Sequence, residues 1–298
     1  MSSPVPLFSN IRLGNIRRSL ALRFKHGNVL IAGPYFGELG FELMRWQGYV
    51  RALRKRFNQT YVITFPGREI LYEGCNVITH DADLKRTGYG YGHIPPLART
   101  DMVRRIAARA KIDKYDLFDT DMLSTPFLRK VVWQQEWLAF KKADPDMPAF
   151  DWIFHFRVIV KDGPDSRLNF STHEADRLVQ LAHTRGLRVA CIGHPMFSYC
   201  PPGAVDLRDY PLSRAVTAFG NARLVVGQLS GPMHLASLCR KPIVIWADGE
   251  WRIASCRRWN PFNMPIQVVT DKSFNPTAEA VFEAALEVDK RSISAFKP

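Results

Sequence analysis

Short apolar runs alternate along the chain with stretches of helical spacing. Asn28 to Ala32 (NVLIA) is a buried-strand run, followed by Gly33, Pro34 and a glycine-bearing loop. From Phe41 to Phe57 the period changes to that of a helix, through Leu43, Trp46, Val50 and Leu53. Tyr61 to Phe65 and Asn76 to Thr79 read as the next two strands, and Met102 to Ile112 as a basic amphipathic helix. Gly88 to Pro96 (GYGYGHIPP) reads as a loop.

Lys141 to Ala149 (KKADPDMPA) is polar and proline-rich, which suits a linker. The rhythm then restarts with a strand at Trp152 to Phe156 and a helix capped by Thr172, with Ala175, Leu178, Val179 and Ala182 on its apolar face. Strands are expected at Leu187–Ile192, Arg223–Val226, Pro242–Trp246 and Ile266–Val269. Helices are expected at Leu212–Phe219, Met233–Leu238 and Pro276–Val288. The expected class is α/β: two Rossmann-like domains facing each other across a cleft, 1–145 and 150–275, with a closing helix and tail over 276–298. Ligands of such sheets bind beyond the carboxyl ends of the strands, so the loops after each strand carry the functional weight.

Charge narrows the partners. Of 298 residues, 41 are Lys or Arg and 28 are Asp or Glu, a net charge of +13. That balance favours phosphorylated small molecules, acidic lipid or nucleic acid. Met1 to Gly37 has no acidic residue; Leu13, Ile16, Leu20 and Phe24 can share a helical face there, interleaved with Arg12, Arg17, Arg18, Arg23 and Lys25. Such a helix suits either an anionic membrane surface or a cap on the first domain. The five cysteines (Cys75, Cys191, Cys200, Cys239 and Cys256) are scattered, which argues against a disulfide scaffold or structural zinc and for a reducing compartment. With no secretory signal and no long apolar span, the expected location is cytoplasmic, with peripheral attachment to the inner face of the membrane as a variant.

The sharpest local pattern is Val225-Val226-Gly227-Gln228-Leu229-Ser230-Gly231-Pro232-Met233-His234-Leu235-Ala236, which leaves a strand and opens a helix. Gly227 and Gly231 let backbone approach a ligand, free N–H groups at the helix start favour phosphate oxygens, and Ser230 and His234 add polar contacts. An ordinary strand-to-helix turn with a buried histidine has the same sequence features.

This segment resembles the C-terminal signature of the family-nine glycosyltransferases, the group of ADP-heptose:lipopolysaccharide heptosyltransferases, and continues through Lys241-Pro242 into a strand as theirs does. The strand with His155 and Arg157, the Gly186–Gly193 unit and Asp206-Leu207-Arg208 are similar too. The resemblance implies a GT-B fold, a nucleotide-diphosphate sugar as co-substrate without other cofactor, no metal, and inversion at the anomeric carbon. It implies donor contacts from Ser230, Gly231 and His234, and the donor-binding set extends to Pro232 and Met233. Where the family carries an acidic residue that helps hold the donor sugar, this chain has Leu229.

By the same resemblance the catalytic base lies in the loop Gly33-Pro34-Tyr35-Phe36-Gly37-Glu38-Leu39-Gly40-Phe41-Glu42. Glu42 matches through the following helix, and Glu38 is its competitor. A sugar hydroxyl is a poor nucleophile and needs such a base, while the departing diphosphate needs positive or N–H partners. Arg157 is the first choice for the latter; Lys161 and Arg167 are either further cations of the site or ordinary surface residues, and Gly193-His194 either borders the nucleotide or is a plain loop. Trp251 to Asn263 (WRIASCRRWNPFN) either closes over the donor or packs as structure.

The leading expectation is an inverting transferase acting on a glycan or lipid-linked acceptor, with no nucleic-acid partner. The alternatives are a nucleotide-sugar-binding protein without turnover, which Leu229 motivates, and a basic nucleic-acid-binding protein, for which no RRM, KH or helix-turn-helix pattern is present.

Overall fold

The computed structural model describes residues 13–80, 96–123, 134–140, 144–158, 169–247, 249, 254 and 258–295. Lys161, Arg167, Cys256, most of the Gly88–Pro96 loop and most of the Trp251–Arg257 stretch lie outside them. The chain divides into two compact units, Met1–Glu136 and Trp137–Pro298. The Lys141–Ala149 stretch thus falls in the second unit. Its described part is stitched there by the Asn221 side-chain amide, which donates to the carbonyls of Asp144 and Met147 at 2.7 Å each.

The first unit runs α1 (Leu13–Phe24), β1 (Gly27–Ala32), α2 (Leu39–Phe41), a π-helical turn (Glu42–Trp46), α3 (Gln47–Arg54), β2 (Phe57–Thr64), β3 (Asn76–Thr79), α4 (Pro96–Arg109) and β4 (Asp116–Phe118). The strands form a parallel sheet in the order β3-β2-β1-β4. Leu30, Ile31 and Ala32 are wholly buried, which is why β1 reads as an unbroken apolar run. Helical spacing at Leu43, Trp46, Val50 and Leu53 puts all four in the core. Trp46 stacks on Phe118 at 4.7 Å and on Tyr35 at 5.7 Å, tying the helical turn to β4 and to the loop after β1.

β2 begins four residues before the apolar run Tyr61 to Phe65. Phe57 and Thr60 face inward there while Asn58 and Gln59 are exposed, so the strand's first half has no continuous apolar signature. β4, three residues long, is too short to show a period.

The second unit runs β5 (Phe150–Arg157), α5 (Thr172–Thr184), β6 (Val189–Ile192), β7 (Ser198–Tyr199), β8 (Val205–Leu207), α6 (Leu212–Gly220), β9 (Ala222–Gln228), α7 (Gly231–Leu238), β10 (Ile243–Ala247), β11 (Ile266–Thr270) and α8 (Ala278–Ala295). Its sheet has the order β8-β6-β5-β9-β10-β11, parallel throughout, with the short β7 added antiparallel to β5. The chain winds outward from β5 in one direction, returns, and winds outward from β9 in the other. This is the strand order of a doubly wound nucleotide-binding sheet, and the first unit's order is its first four strands. The cap of α5 is Ser171, whose hydroxyl accepts from the Glu174 amide at 3.4 Å; Thr172, expected as the cap, is the first helical residue. The closing helix α8 belongs to this unit's core through Ala278, Val281, Phe282, Ala285 and Val288. Asp289 on it accepts from Trp152 Nε1 at 3.0 Å and from Arg223 at 2.7 Å.

Candidate functional site

Both sheets reverse their winding at one gap between strands, and the loops leaving the carboxyl ends there are the positions a doubly wound sheet offers to ligands. In the second unit this switch point lies between β5 and β9, which are paired from Phe150↔Ala222 to His155↔Gly227. Arg157 ends β5 and Gln228 ends β9. Gln228 is fully buried. Its side-chain oxygen accepts the Arg157 backbone N–H, and its side-chain nitrogen donates more weakly to the Arg157 carbonyl at 3.5 Å. That clamp fixes the backbone of both strand ends and leaves Arg157 half-buried at the rim. Gln228 was not among the expected site residues; a polar side chain closing the apolar run Leu224-Val225-Val226 was its only signal.

Gly227 permits the strand contact itself. A Cβ there would lie 2.6 Å from the His155 carbonyl oxygen and 3.1 Å from Met233 Sδ. Gly193, at the end of β6, has φ +144°, and a Cβ there would lie 2.5 Å from Ser198 Oγ. His155 donates through Nδ1–H to the Ile192 carbonyl, 2.9 Å away, and its burial pushes its pKa down to about 4, so the ring is neutral. His194 is exposed; its Nδ1 accepts the Met196 amide at 3.2 Å, which closes the loop after β6.

α7 starts at the end of β9. Ser230 is the N-cap residue in extended conformation, but its side chain makes no capping bond; its hydroxyl donates to the Gln228 carbonyl at 3.1 Å. The donor array at this helix start is smaller than a free helix end offers. Pro232 has no N–H, and the amides of Met233 and His234 both donate to the Ser230 carbonyl, at 3.1 and 3.2 Å. Among the described residues the Gly231 amide has no acceptor. Met233 is buried under Gly227 as packing. His234 is 8% exposed, stands edge-on to Trp259 at 4.8 Å, and its ring has no hydrogen-bond partner among the described residues. Burial pushes its pKa down to about 3, so it is a neutral imidazole. Trp259 is held in turn by Ser237, whose hydroxyl donates to its carbonyl at 3.2 Å. The described end of the Trp251–Asn263 stretch is thus docked on α7. Leu229 is half-buried between Gln228 and Ser230.

In the first unit the switch point lies between β1 and β4, and the loop after β1 crosses it. The Gly33 amide donates to the Phe118 carbonyl at 2.8 Å, and the Tyr35 amide to the Ile63 carbonyl at 2.9 Å. The Tyr35 hydroxyl donates to the Glu38 carbonyl at 2.8 Å, and buried His80 lies with Nε2 3.1 Å from the Tyr35 carbonyl. The two candidate bases sit in opposite surroundings on this scaffold. Glu42 is wholly buried at the start of the π-helical turn. Its carboxylate accepts from Thr64 Oγ1, the Tyr72 hydroxyl and Arg68 Nη1, each at 2.6 Å. Burial, and then the Glu42 charge, push the Tyr72 phenol well above its ordinary range, which keeps it a donor. Glu38 is exposed, and among the described residues nothing pairs with its carboxylate.

Among the described residues no cluster of three or more His, Cys, Asp and Glu has metal-holding geometry, and no helix is long and apolar enough to cross a membrane. The described cysteines Cys75, Cys191, Cys200 and Cys239 are free thiols.

No protein-family model matches the sequence, and no curated protein matches it. Solved structures do match in fold. E. coli ADP-heptose LPS heptosyltransferase II superposes with a TM-score of 0.58 at 13% identity, over 89% of this chain and 99% of that one. The family 9 glycosyl transferase of Veillonella parvula gives 0.57 at 12%, over 89% and 98%. E. coli heptosyltransferase WaaC with ADP gives 0.55 at 11%, over 88% and 99%. The strand orders of both sheets and these superpositions agree: the chain has the fold of the family-nine heptosyltransferases, a GT-B fold made of two Rossmann-like domains.

Proposed function

We propose that the protein is a glycosyltransferase that moves a sugar from a nucleotide-diphosphate donor to a hydroxyl of a glycan or lipid-linked acceptor, in the cytoplasm, with inversion and without a metal. One observation carries the reading. The second unit's switch point presents on adjoining loops the Gly231 amide, which has no acceptor among the described residues, the neutral imidazole of His234 and the Arg157 strand end, with the Ser230 hydroxyl able to join them by turning away from the Gln228 carbonyl. These are donors suited to a diphosphate that gains charge as it leaves. The solved structure of WaaC with ADP, at the same fold, supports the ligand class.

In this reading the acceptor oxygen forms the new bond to the anomeric carbon as the carbon–oxygen bond to the diphosphate breaks. The acceptor's proton goes to a carboxylate, and Glu38 is the assigned base because its carboxylate is exposed and uncommitted. The Glu42 carboxylate already accepts from three donors, one of them the Arg68 guanidinium, and in this reading serves as scaffold. His234, being neutral, offers one ring N–H rather than a full charge. Lys161, expected as a further donor-site cation, lies outside the described residues.

The Leu229 side chain offers the donor no hydrogen bond, so the sugar is to be read from a donor panel rather than assumed to be heptose. The test is transfer from a panel of nucleotide sugars, ADP-heptose included, to cell-envelope glycan and glycolipid acceptors, with Glu38→Gln as control. Product with one donor, lost in the variant, supports the assignment. Donor binding with no product on any acceptor favours a binding protein without turnover.

A further inference from the structure

We propose that the outward face of α1 is a docking surface for a lipid bilayer carrying anionic headgroups. The helix turns Ser19 and Leu22 inward, where both are buried. It is held to its unit by Arg18–Asp119 at 3.1 Å and Lys25–Asp116 at 2.7 Å, ion pairs at opposite ends of β4. The face turned outward is not the polar face that an ordinary cap would show. Leu20 is 43% and Phe24 is 71% exposed, one helical turn apart, and among the described residues they are the first unit's exposed large apolar side chains. Arg17, exposed, lies one turn before Leu20 on the same side. Arg23 places its guanidinium 5.3 Å from the centre of the Phe24 ring.

Charge selects the occupant. The sequence from Met1 to Gly37 has no carboxylate to repel an anionic surface, and with Arg18 and Lys25 engaged by Asp119 and Asp116, Arg17 and Arg23 are the cations beside the apolar pair. Two apolar anchors flanked by cations fit the boundary between headgroups and acyl chains, where the anchors leave water and the cations meet phosphate. A nucleic acid would use the cations but gains little from an exposed leucine. Each basic residue near an anionic surface contributes roughly fivefold to partitioning. A single helix of this kind therefore gives reversible, salt-sensitive attachment. The inference does not depend on the transferase reading, because its readout needs neither donor nor product.

The test is flotation of the full chain with vesicles of phosphatidylcholine alone or with about 30% phosphatidylglycerol. The expected result is flotation with the anionic vesicles, little with the neutral ones, and release at about 1 M salt, where the screening length falls to roughly 3 Å. Leu20→Ser with Phe24→Ser, and separately Arg17→Glu, should each weaken anionic-vesicle binding by roughly tenfold with an unchanged melting temperature, since all three side chains are exposed. No flotation of the unmodified chain overturns the proposal, as does equal flotation of the double variant. Retention on a DNA duplex in place of vesicles overturns it too.

Discussion

Arg68 Nη1 donates to Glu42 Oε2 at 2.6 Å, with the carboxylate wholly buried and the arginine side chain 9% exposed. A pair this deep is held by its completeness: Thr64 and Tyr72 supply the remaining donors to the same carboxylate. Removing one partner leaves a buried charge without its counterion, which costs roughly 3–5 kcal/mol. Arg68→Met and Glu42→Gln should therefore lower the chemical-denaturation midpoint strongly.

Glu38→Gln should behave in the opposite way. Its carboxylate is exposed and makes no hydrogen bond or ion pair among the described residues, so stability should change by no more than about 0.5 kcal/mol. If it is the base, kcat should fall by about 10²–10⁴-fold with KM for the donor little changed. Paired melting curves and steady-state rates for Glu38→Gln and Glu42→Gln separate the two roles.

Gly227→Ala should destabilise the second unit. The new methyl would lie 2.6 Å from the His155 carbonyl oxygen, a backbone atom inside a paired strand that has no room to give. The expected loss is about 1–3 kcal/mol, read from urea unfolding, with diphosphate binding weakened as β9 and β5 separate.

Two buried imidazoles set an acid limit. Burial lowers the pKa of His155 from 6.5 to about 4 and of His234 from 6.5 to about 3. Between those values and 6.5 the unfolded chain binds protons that the folded chain refuses, so stability rises with pH across that window. Their contribution is complete above pH 6.5 and is lost as pH falls, by on the order of 3 kcal/mol each near pH 4. Unfolding free energies measured from pH 7 to 4 should show this slope, and His234→Gln should flatten part of it.

The alternation of apolar runs and helical periods made the class and most strands legible, because parallel strands covered on both faces leave unbroken runs such as Val29-Leu30-Ile31 and Val244-Ile245-Trp246. Elements without that burial were not legible. β4, β7 and β8 have three residues or fewer, and their pairing is set by neighbours distant in sequence. The Gly227–His234 turn was readable because its glycines and proline constrain the backbone locally. The different surroundings of Glu38 and Glu42 were not, since they depend on Thr64, Arg68 and Tyr72 folding back onto one of two similar carboxylates. Gln228 was hidden for the same reason: its partner is 71 residues away.

The central claim, a diphosphate site at the start of α7, is tested most directly by calorimetric titration of nucleoside diphosphates into the native chain and into Gly231→Pro. Proline suits a position after an extended Ser230 and removes the Gly231 N–H, and because residue 231 also precedes Pro232 the variant's melting curve is the required control. The account predicts binding of one nucleoside diphosphate, with stabilisation of roughly 2.7 kcal/mol at one hundred times its dissociation constant. It also predicts loss of that binding in a variant that melts like the native chain. Absence of binding by every diphosphate, or equal affinity in the variant, would contradict it.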